Sequence, residues 1–453
     1  VDNSARFNRA DGAYMDRTFS SAGNRDKWTY SLWVKKCKNG VEQRLLTTSD
    51  NSSFDDNIRF NSDDTFNIIC NGATVLKTNR VFRDNSAFYH ICVIWDSGNG
   101  TSGNRCQLFV NGIRETSFAT ESYPSQNQDS FINNNTRHYI GVTNVTANSH
   151  FLDGYLTEVV FQNDSADSPV DKFGSFDEDS GIWKPIDVSG LTFGNNGFYL
   201  DFEDSGALGA DVSGNSNNFT VNNLTAIDQT TDTCTNNFAT LNPLNNYWSA
   251  ATFSEGNSVY TSNNTSEYYG VAQSTIGVSS GKWYFEAKVG TQSGQDILGI
   301  TSRNQTGRGT WLGSTTQAYG YYQDNGEIRS GGSDTAYGQA YTVNDIIGIY
   351  MDLDNNKMYV SDNGVLMNSG TGHTITAASL TDSGFYHFAV GDNSDNTQVW
   401  QCNFGGTSGF TVSSGNTDVN GYGNFEYDPS AGTFDGVSKD FLALCTKNLA
   451  EYG

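Results

Sequence analysis

A chain of 453 residues with 26 basic against 50 acidic side chains has a formal charge of −24. That field repels nucleic acid and anionic membrane and removes both from the candidate partners. The 48 glycines, five prolines, abundant Asn, Ser, Thr and Asp, and 13% aromatic content describe a turn-rich, all-β chain of two or three domains with real cores and little helix.

Residues 1–165 read as a first unit. Residues 7–15, F-N-R-A-D-G-A-Y-M, form strand and turn. Residues 28–34, W-T-Y-S-L-W-V, alternate, so that Trp28, Tyr30, Leu32 and Val34 share one face and Trp33 takes the other. Short strands are expected at 58–60 and 66–69. The run F-Y-H-I-C-V-I-W at 88–95 is too short for a good helix and rich in β-formers. A strand at 106–110 meets the tight turn Asn111-Gly112, and strands at 139–142 and 154–161 close the unit.

Residues 166–245 read as a β/loop connector with one convincing strand, G-F-Y-L-D-F at 197–202. Residues 246–412 form a second unit. In G-K-W-Y-F-E-A-K-V at 281–289, Trp283, Phe285 and Ala287 alternate against Tyr284, Glu286 and Lys288. A β-hairpin follows at 345–365, its strands joined by Asp354-Asn355-Asn356 and closed by Asp362-Asn363-Gly364, residues that tolerate left-handed backbone. Residues 413–453 form a tail whose Phe441-Leu442-Ala443-Leu444 is expected to dock on the sandwich or on a neighbour.

Seven cysteines, Cys37, Cys70, Cys92, Cys106, Cys234, Cys402 and Cys445, are sparsely spread without C-x-x-C spacing, which argues against a zinc ribbon. Mostly free thiols are expected, as in a reducing cytoplasm; a Cys37–Cys70 pair stays open. No apolar run has transmembrane length and no signal peptide is visible.

The order S-L-W-V (31–34), F-Y-H-I-C-V-I-W-D (88–96), L-F-V-N-G (108–112) and D-G-Y-L-T-E-V-V-F (153–161) resembles a laminin-G-like, concanavalin-type sandwich. The 281–289 strand, the 345–365 hairpin and N-F-G at 403–405 resemble a SPRY (B30.2-like) domain. Between them, W-K-P, N-G-F-Y-L-D-F, D-V-S-G-N-S-N-N-F and A-T-L-N-P-L resemble a connector of bacteriophage virion proteins, especially marine ones. These resemblances imply two antiparallel β-sandwiches of jelly-roll type joined by the connector.

They also imply function. Laminin-G-like domains often bind calcium through Asp and backbone oxygens, which makes Asp55, Asp56, Asp63 and Asp64 candidates, with Asp153 behind them and solvated acids as the alternative. SPRY-like domains bind partners through loops. Trp311, Tyr319, Tyr321, Tyr322 and Tyr337 sit in or beside such loops, where rings stack on sugars or peptides, although some belong to the core. Retaining glucanases of the concanavalin shape need E-x-D-x-x-E. Here the one E-x-D, Glu426-Tyr427-Asp428, is followed by Ala431 at the third position. His90, His138, His150, His373 and His387 show no metal spacing.

The expectation is a non-enzymatic protein of a phage virion surface, assembled in the host cytoplasm, of tail-fibre or head-fibre type. Its partners would be other capsid or tail proteins, copies of itself and a host-surface glycan or protein. A capsid decoration protein is the alternative, and a secreted glycan-active enzyme a third. No heptads or collagen-like repeats supply a fibre shaft.

Overall fold

The computed structural model describes residues 1–49, 55–143, 149–246, 251–262, 269–292, 294–303, 310–394 and 396–453. Strands make up 42% of the chain and helix 5%, and two units divide it, Val1–Thr235 and Asn236–Gly453.

In unit 1, two sheets face each other. One runs in the order Ile113–Arg114, Cys106–Val110, Tyr89–Asp96, Lys27–Lys36, Gly154–Asn163, Ser4–Phe7, Gln229–Thr230, with Phe198–Leu200 also paired to Gly154–Asn163. The other runs Phe118–Glu121, Ala73–Val81, Thr65–Cys70, Asp55–Phe60, Gln43–Ser49, Arg137–Ile140, Tyr14–Thr18, Thr220–Asn222. Trp28, Tyr30, Leu32 and Val34 enter the core between them as the alternation predicts. Asn111 (φ 48°) and Gly112 (φ 74°) both take left-handed backbone, the requirement of a two-residue hairpin turn.

Trp33, on the opposite face, is also buried, against Trp183, Phe88, Tyr155 and Cys37. Residues 166–235 explain this. They are no free connector but the cover of the outer face, where Phe173, Val188 and Phe193 pack on Cys92, Ile94, Phe109 and Val160. The continuous apolar text of 88–95 is therefore that of a strand buried on both faces. The first unit thus extends beyond the expected boundary at 165.

Unit 2 repeats the plan. One sheet runs Leu241–Asn246, Val271–Ser274, His387–Asp392, Asp296–Thr301, Ala318–Tyr322, Glu327–Ser330, Ser333–Ala336. The other runs Thr252–Ser254, Val259–Thr261, Val399–Asn403, Lys282–Thr291, Ile346–Asp352, Lys357–Asp362, Val365–Leu366. Its central hairpin is the predicted one, with Asp352 opposite Lys357 and Asn356 at φ 54°. The tail lies on this sheet's outer face. Leu442–Ala443 pairs parallel with Trp283 and Tyr284, and Phe425, Phe434 and Phe441 bury Tyr284, Tyr350 and Tyr359. A short helix, Thr446–Tyr452, which the sequence reading did not anticipate, ends the chain. None of the seven cysteines forms a disulfide, so Cys37 and Cys70 do not pair.

Candidate functional site

Unit 1 carries an open cleft of ≈ 450 Å³ lined by Arg9, Ala10, Asp11, Gly12, Tyr14, Phe151 and Asn223, a size suited to a small ligand. Its floor is a single 3-10 turn, Arg9–Asp11. Asn8 caps that turn: its Oδ1 accepts the Ala10 N–H at 3.3 Å, and its Nδ2 donates to Asp11 Oδ2 at 2.8 Å. Gly12 then reverses the chain at φ 66°. A side chain there would strain the backbone and press on the Phe151 ring, 3.3 Å from a built Cβ.

Two side chains make the long-range contacts that assemble the walls. Arg9 Nη1 donates to the Phe151 carbonyl at 2.9 Å and the Glu42 carbonyl at 3.2 Å. Asn223, in left-handed backbone (φ 56°), donates Nδ2 to the Asp11 carbonyl at 2.8 Å. The Tyr14 and Phe151 rings stand 6.4 Å apart, tilted by 42°. Burial, then the neighbouring Asp16 charge, push the Tyr14 phenol up, so it stays a neutral hydroxyl. Two aromatic faces beside a guanidinium, a carboxylate and an amide suit a polyhydroxylated ligand: rings meet C–H faces and polar groups meet hydroxyls.

Residues 10–168 match the family model of the concanavalin A-like lectin/glucanases superfamily, and residues 282–407 match that of the SPRY domain. The chain carries a concanavalin A-like domain and a SPRY domain. A Ran-binding proteins 9/10 homolog of Drosophila melanogaster is 34% identical over 89 residues. That match covers 19% of this chain and 9% of the fly protein, so the chain spans less than a tenth of that relative. Among solved structures, the SPRY domain of human HERC1 is similar at 14% identity, covering 36% of this chain and 96% of that one, with a TM-score of 0.30. A heptameric SAP-like pentraxin from Limulus polyphemus is similar at 14% identity, covering 37% and 78%, with a TM-score of 0.29.

In the SPRY domain, four of the predicted stacking residues are not displayed. Tyr319, Tyr321, Tyr322 and Tyr337 are all buried. Tyr321 donates its hydroxyl to the Gln339 carbonyl at 2.7 Å and stands edge-on to Tyr337. Tyr319 Oη accepts the Thr376 N–H at 2.9 Å. Tyr322 lies under the Arg329 guanidinium, 3.4 Å from ring centroid to Cζ, with half-buried Trp311 on the same guanidinium at 5.8 Å. The expected platform is corrected accordingly: the strand Ala318–Tyr322 draws Tyr319, Tyr321 and Tyr322 into packing, Tyr337 joins the core from the segment after Ser333–Ala336, and Trp311 alone of the five is partly accessible.

The acids proposed for calcium in the concanavalin A-like domain are otherwise engaged. Asp63 accepts Lys77 Nζ at 2.7 Å and the Thr65 hydroxyl at 2.5 Å, which hold its carboxyl down to about 2. Asp64 meets Lys36 Nζ at 3.1 Å, Arg83 Nε at 3.0 Å and the Gly40 N–H at 2.8 Å. Burial works against its charge, and those three donors outweigh burial. Asp56 is buried and accepts the Asn71 and Phe131 N–H groups, each at 2.6 Å; burial pushes its carboxyl up. Asp55 lies in a strand, but its side chain falls outside the described residues. Two acids already facing ammonium and guanidinium groups do not fit a calcium site. Asp153 is buried too.

His90 is a packed core group, bonded to Ser31 Oγ at 2.9 Å, and burial lowers it to about 3. Glu426 and Asp428 serve the tail: Glu426 accepts from Ser413 and Ser414, and Asp428 from the Ser430 N–H. Residue spacing could not have found the cleft, because its parts lie at 9–14, 151 and 223. The one local signal was N-x-x-D-G at 8–12, a capped turn.

Proposed function

We propose that this chain is a non-enzymatic surface protein of a phage virion, of tail-fibre or head-fibre type, which adheres to host-surface glycans through its concanavalin A-like domain. The cleft between Tyr14, Phe151, Asp11 and Asn223 carries the reading. Asp11 is the one carboxylate among its lining residues, whereas glycoside hydrolysis ordinarily employs two, so binding without turnover is favoured. The virion assignment rests on the connector phrases of residues 183–244, and with it go capsid or tail proteins and copies of itself as partners.

Binding of the pure protein to a glycan array and to host cells tests this. Tyr14→Ala and Phe151→Ala are each expected to weaken binding about 10–100-fold, with the far-UV circular dichroism of the folded protein retained. Glycan binding that neither substitution disturbs would remove the cleft from the function. Release of reducing ends from a polysaccharide would overturn the non-enzymatic reading.

The lack of shaft-forming repeats in the sequence favours a globular appendage docked on another protein over a long fibre, and the alternative reading is a capsid decoration protein without receptor binding. Particles lacking the chain would then adsorb normally and lose heat resistance.

A further inference from the structure

A second feature lies inside the SPRY domain, away from any loop surface. Asp296 opens the strand Asp296–Thr301 and Asp392 ends the strand His387–Asp392, and the register sets them directly opposite each other. Both are fully buried. Leu298, Ile300, Phe388 and Val390, which alternate with them on the same strands, belong to the core between the sheets. Both carboxylates therefore point between the sheets.

The facing sheet answers with oxygen. Ser262 donates Oγ to Asp392 Oδ2 at 2.7 Å, and the Gln398 N–H donates to Ser262 Oγ at 3.1 Å. Gln398 shares its strand face with Trp400, whose Nε1 donates to the Gly391 carbonyl at 3.0 Å, next to Asp392. Its side chain enters the same space, is fully buried, and neither its Oε1 nor its Nε2 has a hydrogen-bond partner. Two more buried oxygens there lack partners, Tyr260 Oη and Gln323 Oε1. The Asp392 charge acts on Tyr260, adding to burial in raising its phenol. Gln323 donates its backbone N–H to the Asp296 carbonyl at 2.9 Å.

We propose that this buried polar cluster is a binding site for a hard cation, calcium by its donor set, held between Asp296 and Asp392 with Ser262 and Gln398 as neutral oxygen ligands. Like charges directly opposite on a sheet repel, and two buried carboxylates sharing a site do not both ionise unaided. A cation between them reverses that repulsion and gives the orphaned oxygens a partner. Carboxylate, hydroxyl and amide oxygens without nitrogen or sulfur select calcium over zinc or copper.

The full chain, stripped with EDTA and dialysed, should regain one tightly held calcium when calcium chloride is returned, read by elemental analysis and calorimetry. At calcium a hundredfold above its Kd, the Tm of the domain should rise by about 5–10 °C over the EDTA form. D392N should lose the calcium response, yet in EDTA be at least as stable as the unsubstituted chain, because the like charge is gone. D334N, at a surface ion pair with Arg329, should keep the response. No retained calcium and an unchanged Tm in the unsubstituted chain would overturn the proposal. So would a D392N variant that responds fully, or a pair that shares a proton, seen as an EDTA-form Tm that rises on acidification while calcium has no effect.

Discussion

Replacing Glu286 by alanine is expected to destabilise the SPRY domain by about 3–5 kcal/mol, a large effect for one side chain. Glu286 is fully buried on the outer face of the strand Lys282–Thr291. Its Oε1 accepts Asn403 Nδ2 and the Glu426 N–H, both at 2.8 Å, and its Oε2 accepts the Tyr284 hydroxyl at 3.0 Å and the Tyr427 N–H at 3.3 Å. Truncation orphans four donors at once and unpins the tail from the sheet. Urea unfolding should show a lower midpoint, and amide exchange across residues 413–441 should accelerate. Unchanged exchange there would show that the aromatic contacts alone hold the tail.

The same residue sets a pH dependence. Burial lifts its carboxyl from 4.5 to about 7, against the pull of its four donors. The folded chain then binds the proton more tightly than the unfolded chain between those values. This contribution to stability is full below pH 4.5 and is lost as the pH rises through 7. E286Q cannot titrate and should flatten that part of the stability profile; an unaltered slope in E286Q would assign the effect elsewhere.

Asp232→Ala is expected to cost the concanavalin A-like domain about 3–5 kcal/mol. Lys35 Nζ meets Asp232 Oδ2 at 2.8 Å, and both side chains are fully buried. Removing the carboxylate takes this counter-charge from a buried ammonium whose ring neighbours, Tyr155 and Phe88, lie at 5.6 and 5.8 Å. The double variant K35M/D232L, apolar on both sides, should recover most of the loss, since matched hydrophobic replacements of buried pairs are commonly neutral or better. A double-mutant cycle in urea measures this. A D232A cost below about 1 kcal/mol would mean that water or another group reaches Lys35. Because Asp232 belongs to the segment beyond 165, the same experiment tests whether that segment is integral to the first domain.

The strands were legible where the information is local. Alternation placed Trp28, Tyr30, Leu32 and Val34 in the core, and Asn111-Gly112 and Asn363-Gly364 marked turns, because left-handed backbone is a property of one or two residues. Trp33 and Glu286 were legible only as facing the other way. What covers that other face is a long-range fact: residues 166–235 on one sandwich and 413–453 on the other. The tyrosines of residues 319–337 failed as surface residues for the same reason, since composition shows an aromatic ring but not which side of a sheet it joins.

By itself, then, the sequence determined an all-β chain of two sandwiches, the positions of their principal strands and the turns between them, through side-chain periodicity and backbone preference. Only the tertiary structure decided which acids meet cations, which meet each other, and where a ligand can sit. Asp63 and Asp64 look like Asp296 and Asp392 in the sequence, yet the first two face lysine and arginine while the second two face one another. The cleft exists because Asn223 reaches Asp11 across 212 residues, and no local pattern encodes a contact whose two halves are brought together only when the sheets close.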